Sequence, residues 1–172
     1  MKVLFLDHDG VICLTRQWGK RNSKKAKKRG EFFDPFCPKA IKVLNEIINK
    51  TECEIVISSD WRLYKDLEYM KQMYKERGII KSPISYTNSF SDRDEDIWKE
   101  TKSYKCPYAI YARVREKEIK DWLKNKNNIA SWVAVDDLNM TKLENFVWTK
   151  RPSEGIKQTG IKEKIIKILN GE

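Results

Sequence analysis

Val3-Leu4-Phe5-Leu6-Asp7-His8-Asp9-Gly10 is the stretch on which the reading of this chain turns. Its four apolar residues have the length of a short strand buried on both faces of a parallel sheet. Gly10 allows the backbone to turn sharply just past the strand end. Asp7 and Asp9 then stand where open α/β sheets place their ligands, at the carboxyl ends of the strands. Alone, Asp-x-Asp is as compatible with a solvated turn, so other strand endings in the chain have to decide.

Two further runs end in the same way. Glu54 leads into Ile55-Val56-Ile57, which is followed by Ser58-Ser59-Asp60-Trp61-Arg62, and Trp132-Val133-Ala134-Val135 ends in Asp136-Asp137. Between the first two runs, Ala40, Ile41, Leu44, Ile47 and Ile48 recur at helical spacing, with Asp34-Pro35 as the expected cap and first-turn proline. Leu63, Leu67, Met70 and Tyr74 predict a helix from Leu63 to Arg77, stopped by Gly78. Ile84 to Thr87 and Tyr108 to Ala112 read as short strands, residues 115–126 as a helix carrying Ile119, Trp122 and Leu123, and Phe146-Val147-Trp148 as a last strand. A closing helix shows Ile161, Ile165, Ile168 and Leu169 on one face. Strands alternating with helices predict an α/β fold, a Rossmann-like three-layer sandwich around a mainly parallel sheet. Asp92-Arg93-Asp94-Glu95-Asp96 is not a calcium loop, because Ile97 and Ser103 stand where such a loop needs glycine and glutamate.

Composition narrows the function classes. The 172 residues suit one domain, and a hydrophobic fraction of 40% excludes a disordered chain despite 35% charged residues. No stretch approaches the ~18 apolar residues of a membrane span, and the apolar run before Asp7 is too short for a signal peptide, so a cytoplasmic protein without a membrane partner is expected. Cys13, Cys37, Cys53 and Cys106 form no Cys-x-x-Cys pair, and with one histidine they read as reduced thiols rather than zinc ligands. The net charge is +10, concentrated between Arg16 and Arg29, where Lys20, Arg21, Lys24, Lys25, Lys27 and Lys28 occur without an acidic residue. Such a run is either a solvated loop or a phosphate-tracking surface.

In a parallel sheet the three polar endings share one edge. Asp7, Asp9, Asp136 and Asp137 would repel one another there unless a cation sat among them, and oxygen-only ligands suit Mg²⁺. A hydroxyl and a basic side chain nearby could hold phosphate oxygens. One carboxylate could attack phosphorus and a second shuttle protons. Phosphoryl transfer needs mainly positioning and charge neutralisation, which this set supplies.

Phe5-Leu6-Asp7-His8-Asp9-Gly10-Val11, Val56-Ile57-Ser58 and Val133-Ala134-Val135-Asp136-Asp137 resemble the first, second and fourth motifs of the haloacid dehalogenase superfamily of Mg²⁺-dependent phosphotransferases. More narrowly, Phe33-Asp34-Pro35, the helix through Leu44, Ile55 to Arg62, Arg115-Glu116-Lys117-Glu118-Ile119 and Trp122-Leu123 resemble the phosphatase-like domains of "Swiss army knife" RNA repair proteins. The resemblance implies Asp7 as nucleophile, Asp9 as general acid and base with its main-chain carbonyl on the metal, and Ser58 on the transferring phosphoryl group. Asp136 would ligate Mg²⁺, and Asp137 would ligate it or orient its water. The third motif needs a lysine or arginine. Arg115 fits the local pattern best, with Arg113 and Lys117 as alternatives. His8, by alternation, points to the other face.

Ser59, Arg62, Lys24, Lys25 and Trp18 are the candidate substrate contacts. Arg62 and Trp61 are either a phosphate contact and an indole under a base or at the cleft wall, or a helix-start arginine and a core indole. Trp18, an indole among basic residues, suits a stacked base. Residues 13–33 leave room for a small basic flap rather than a cap domain, and an open site admits a macromolecular end. The leading expectation is a phosphatase acting on terminal phosphates of RNA or DNA through an aspartyl-phosphate, alongside an RNA-repair ligase or kinase partner. The alternatives are a phosphatase of a small phosphometabolite, nucleotide or phosphoprotein, and a catalytically idle nucleic-acid-binding module.

Overall fold

The apolar runs do become strands. In a computed structural model that describes residues 1–14, 28, 34–89, 107–124 and 126–172, they form β1 (Lys2–Leu6), β2 (Glu54–Ile57), β3 (Pro83–Tyr86), β4 (Ser131–Asp136) and β5 (Phe146–Trp148). The sheet order is β3-β2-β1-β4-β5, and every neighbouring pair is parallel. The chain steps outward from β1 to β3, then returns to place β4 on the other side of β1. That reversal is a topological switch point, where open α/β sheets form their crevice. Asp7 ends one of its two strands and Asp136 the other.

Alternation along the strands divides the core. Leu4, Leu6, Ile55, Ile57, Val133 and Val135 face α1 (Pro38–Thr51), α2 (Leu67–Glu76) and α4 (Ile161–Asn170). Val3, Phe5, Val56, Ala134 and Phe146 face α3 (Pro107–Lys124), whose Ala112, Ile119 and Trp122 complete the second layer of core. The result is the three-layer sandwich, with its mainly parallel sheet between two helical layers.

Three boundaries differ from those expected. α1 starts at Pro38 after Cys37, because Asp34 caps a turn instead: its Oδ1 accepts from the Phe36 N–H at 3.0 Å. Leu63 belongs to a separate 3-10 turn, Asp60–Leu63, and is 52% exposed. α2 begins only at Leu67, where Asp66 caps it by accepting from the Tyr69 N–H at 2.8 Å. Tyr108 to Ala112 is not a strand but the opening of α3. Of the expected basic flap, 13–33, Cys13 and Leu14 are instead buried in the core, while 15–27 and 29–33, with Trp18, Lys24 and Lys25, and the acidic run 92–96 lie outside the described residues.

His8 anchors the loop that carries the two aspartates. Its carbonyl accepts from the N–H groups of Val11, Ile12 and Cys13, closing a tight turn. Its ring turns away from the strand edge into the core, against Phe36, Trp61 and Tyr74. The ring is fully buried, Nε2 lies 2.7 Å from the Tyr74 hydroxyl, and burial lowers its pKa to about 3. The imidazole therefore stays neutral. Tyr74→Phe leaves Nε2 unsatisfied in an apolar site, so it should destabilise the protein by about 1–3 kcal/mol. Urea unfolding with an unchanged slope measures this, and a variant as stable as the parent would show that the bond does not hold the loop.

Candidate active site

β1, β2 and β4 stop in register, and their last hydrogen bonds fix the residues just beyond them. Asp7 N–H donates to the Val135 carbonyl at 3.1 Å, and Ser58 N–H donates to the Leu6 carbonyl at 3.0 Å. Asp136 Oδ1 accepts from the Leu138 N–H at 2.8 Å, which turns the chain away after β4. Asp7, Ser58 and Asp136 are thereby held side by side at one sheet edge, all nearly inaccessible to solvent. Carboxylate oxygens of Asp7, Asp136 and Asp137 lie within 4.8 Å of one another.

Gly10 makes room for this group. Its φ is +72°, and a Cβ there would fall 2.2 Å from Asp137 Oδ2. Thr149, just past β5, donates its hydroxyl to the Gly10 carbonyl at 3.2 Å and holds the same turn from the far side.

α3 lays Arg115 across the strand ends. Its Nη1 donates to Asp7 Oδ1 at 3.3 Å, to Asp136 Oδ2 at 3.2 Å and to the Ser58 carbonyl, while Nη2 donates to Asp60 Oδ1 at 2.8 Å. Glu118 Oε2 stands 3.6 Å from Nε. Of the three basic candidates, Arg115 is the one placed on Asp7; Arg113 pairs with Glu116. Burial works to lower the Arg115 pKa, but Asp136, Asp7, Asp60 and Glu118 together raise it, so the charge is permanent.

The acids show the opposite balance. Burial, then repulsion from Asp136, raises Asp7 well above the usual carboxylate range even with Arg115 beside it. Burial likewise pushes Asp136 up to about 7 against the pull of Arg115, and Asp137 up to about 6, with Asp9 adding to the latter. Asp9 is also raised, by burial first. One buried guanidinium does not neutralise this many carboxylates, so the site is short of positive charge. Oxygen-only donors around such a deficit fit a hard divalent cation.

Other expected contacts sit differently. The Ser58 and Ser59 hydroxyls are buried and have no hydrogen-bond partner among the described residues. Arg62 is committed: Nη2 donates to Glu118 Oε1 at 2.6 Å and Nη1 to the Ser59 carbonyl at 2.7 Å. Trp61 packs on His8 and Phe36 and donates its indole N–H to Asp9 Oδ2 at 3.0 Å, so it steers an acid rather than walling the cleft. That bond draws the Asp9 carboxylate away, and the three-acid cluster does not include it. Sequence reasoning missed Asp60 and Glu118. The i,i+3 spacing of Arg115 and Glu118 on one helix was the available signal for the second.

Above the acids opens a cavity of about 510 Å³, lined by Asp7, Asp9, Arg115 and Asp137 together with Leu63 and Tyr111. Over residues 3–160 the chain matches the family model described as the HAD domain in Swiss Army Knife RNA repair proteins, and it belongs to that family. No curated protein and no solved structure matches it. The matched span holds every residue of the site. Membership makes this a haloacid dehalogenase-type hydrolase domain, of a kind that usually uses Mg²⁺. Among the described residues, no helix is long and apolar enough to cross a membrane.

A carboxylate whose folded pKa is raised stabilises the fold below its unfolded pKa, and that contribution is lost as pH rises through the folded value. Asp137, at about 6, therefore weighs against folding at pH 8 when no cation is bound. In EDTA at pH 8, Asp137→Asn should melt above the parent by roughly 2–4 °C, on the order of 1 kcal/mol for a partly buried group. The gap should close as pH falls through 6 towards 4, and Mg²⁺ should raise the parent's midpoint more than the variant's. A variant that melts lower in EDTA at pH 8 would contradict this charge balance.

Proposed function

We propose that this chain is a Mg²⁺-dependent phosphatase that removes terminal phosphates from nucleic acid through an aspartyl-phosphate on Asp7. The observation that carries the reading is the meeting of Asp7, Ser58 and Asp136 at adjacent strand ends beneath one buried arginine. Asp7 attacks phosphorus while the bond to the leaving oxygen breaks. Asp9, whose pKa burial raises, gives a proton to the leaving oxygen. It then takes one from the water that hydrolyses the acyl phosphate, releasing inorganic phosphate and regenerating Asp7. Arg115 and the Ser58 hydroxyl, which has no partner among the described residues, bind phosphoryl oxygens. Asp7, Asp136 and Asp137 would hold Mg²⁺, which when bound neutralises their charge and that of the phosphoryl oxygens.

The substrate class rests on less. The family is described from RNA repair proteins, and the net charge is +10. Buried free thiols at Cys13, Cys37 and Cys53 fit a reducing cytoplasm. A ligase or kinase of end repair is the fitting partner, since it would consume or supply the ends that such a phosphatase edits.

Phosphate release from 5′- and 3′-phosphorylated oligonucleotides, mononucleotides and a small phosphoester, with Mg²⁺ or EDTA, tests the reading. Oligonucleotides should be preferred, with an advantage that shrinks as salt rises. Asp7→Asn should lower turnover on the order of 10³-fold or more. Unchanged turnover in that variant removes the nucleophile assignment. Equal turnover of all substrates, independent of salt, removes the nucleic-acid assignment and leaves a phosphatase of small phosphoesters.

A further inference from the structure

α3 uses its aromatic residues in two ways. Trp122, near its end, is buried against Phe5 in the core. Tyr108 and Tyr111, in its first turns, are 71% and 53% exposed and lie in neither core cluster. Three residues apart, they share one side of the helix. Both line the cavity above Asp7, as does Leu63, itself 52% exposed. Large apolar side chains left in water contribute little burial to folding. These ones stand beside the charged floor of the site.

We infer that Tyr108 and Tyr111 form a stacking wall for the nucleobase of the terminal nucleotide whose phosphate is held over Asp7. The inference deepens the reading of Asp7 as a phosphatase nucleophile and rests on it. A cavity of about 510 Å³ falls within the range of small-ligand sites, ~300–1,000 Å³, so it has room for a sugar and base beyond the phosphate. Charge cannot supply affinity for that remainder, because Asp9, Asp60 and Asp137 line the floor, Arg115 is turned to the phosphate and Arg62 is paired with Glu118. Stacking needs no charge and tolerates any base, since every base has a π-face. A phosphosugar or a phosphoserine has no flat face to present to two tyrosine rings. The wall therefore selects nucleoside phosphates, and it does so without reading sequence.

The test pairs two substrates: an oligonucleotide with its terminal phosphate on an intact nucleotide, and the same strand ending in a phosphorylated abasic sugar. The double variant Tyr108→Ala/Tyr111→Ala should raise KM for the intact end roughly 5- to 100-fold, the loss expected of a base–aromatic stack, with kcat little changed. Its KM for the abasic end should equal that of the parent enzyme, and Tyr→Phe at both positions should restore binding. An equal rise for both ends, or no rise for either, overturns the inference. A second arm needs no turnover. Strands with 2-aminopurine beside the terminal phosphate, bound to Asp7→Asn protein, should lose fluorescence on stacking, and adding the two alanines should abolish that quench. Absent quenching overturns the wall even if phosphate is released. Quenching without phosphate release from any substrate would instead retain the wall and overturn the phosphatase reading.

Discussion

Arg115 carries a charge to a nearly inaccessible place at the cavity floor, and four carboxylates from four segments come to meet it. Asp7 ends β1, Asp136 ends β4, Asp60 opens the turn after β2, and Glu118 lies one turn on in α3 itself. The Ser58 carbonyl adds a fifth contact from the end of β2. An uncompensated buried guanidinium would cost several kcal/mol, so the helix and the three strand ends are bound to one arrangement. The arginine ties α3 to the rotation that puts its charge over the strand edge.

The same contact leaves the site unbalanced. Arg115 is shared among acids that outnumber it, and Asp9 and Asp137 stand close by with no basic partner of comparable strength among the described residues. Raised pKa values at Asp7, Asp136 and Asp137 express burial first and mutual repulsion second: carboxylates are held out of water and beside one another at the strand ends. Stability is given up at the strand ends and recovered below them, where Val3, Leu4, Phe5 and Leu6 are fully buried on both faces of the sheet. A rigid foundation of this kind is what holds repelling groups at fixed distances, which positioning catalysis requires.

Much of this was legible in the sequence, for a physical reason. Val3–Leu6, Ile55–Ile57 and Trp132–Val135 are continuous apolar runs because their strands are covered on both faces, and polar residues can appear only where the cover ends. The site therefore announces itself as a change of composition at the strand end. α3 was harder. Its first turns alternate Tyr108, Ile110 and Ala112 in a strand-like way, and its buried side carries Arg115, Glu116 and Glu118, which break the apolar helical period. Function has displaced pattern there, which is where sequence reasoning is expected to fail. Trp61 and Arg62 misled for a related reason: residue type alone cannot say that an indole N–H goes to Asp9 or that a guanidinium is already taken by Glu118.

Chemistry and recognition are drawn from different parts of this fold, and that separation explains why one was readable and the other was not. The proposed phosphoryl transfer depends on groups fixed to strand ends, where each is set by a hydrogen-bonded neighbour: Asp7 by Val135, Ser58 by Leu6, Asp136 by Leu138. The proposed recognition of the leaving group falls to the opening turns of α3 and the turn after β2, where Tyr108, Tyr111 and Leu63 stand largely in water. Positions of the first kind must keep particular atoms at particular distances, so few residue types serve and a motif results. Positions of the second kind need only offer a flat or apolar face of sufficient area, which many residues can supply at many spacings. A substrate can therefore be exchanged on this scaffold by changes that leave no motif behind, while the carboxylates and the arginine beneath it stay where the sheet holds them.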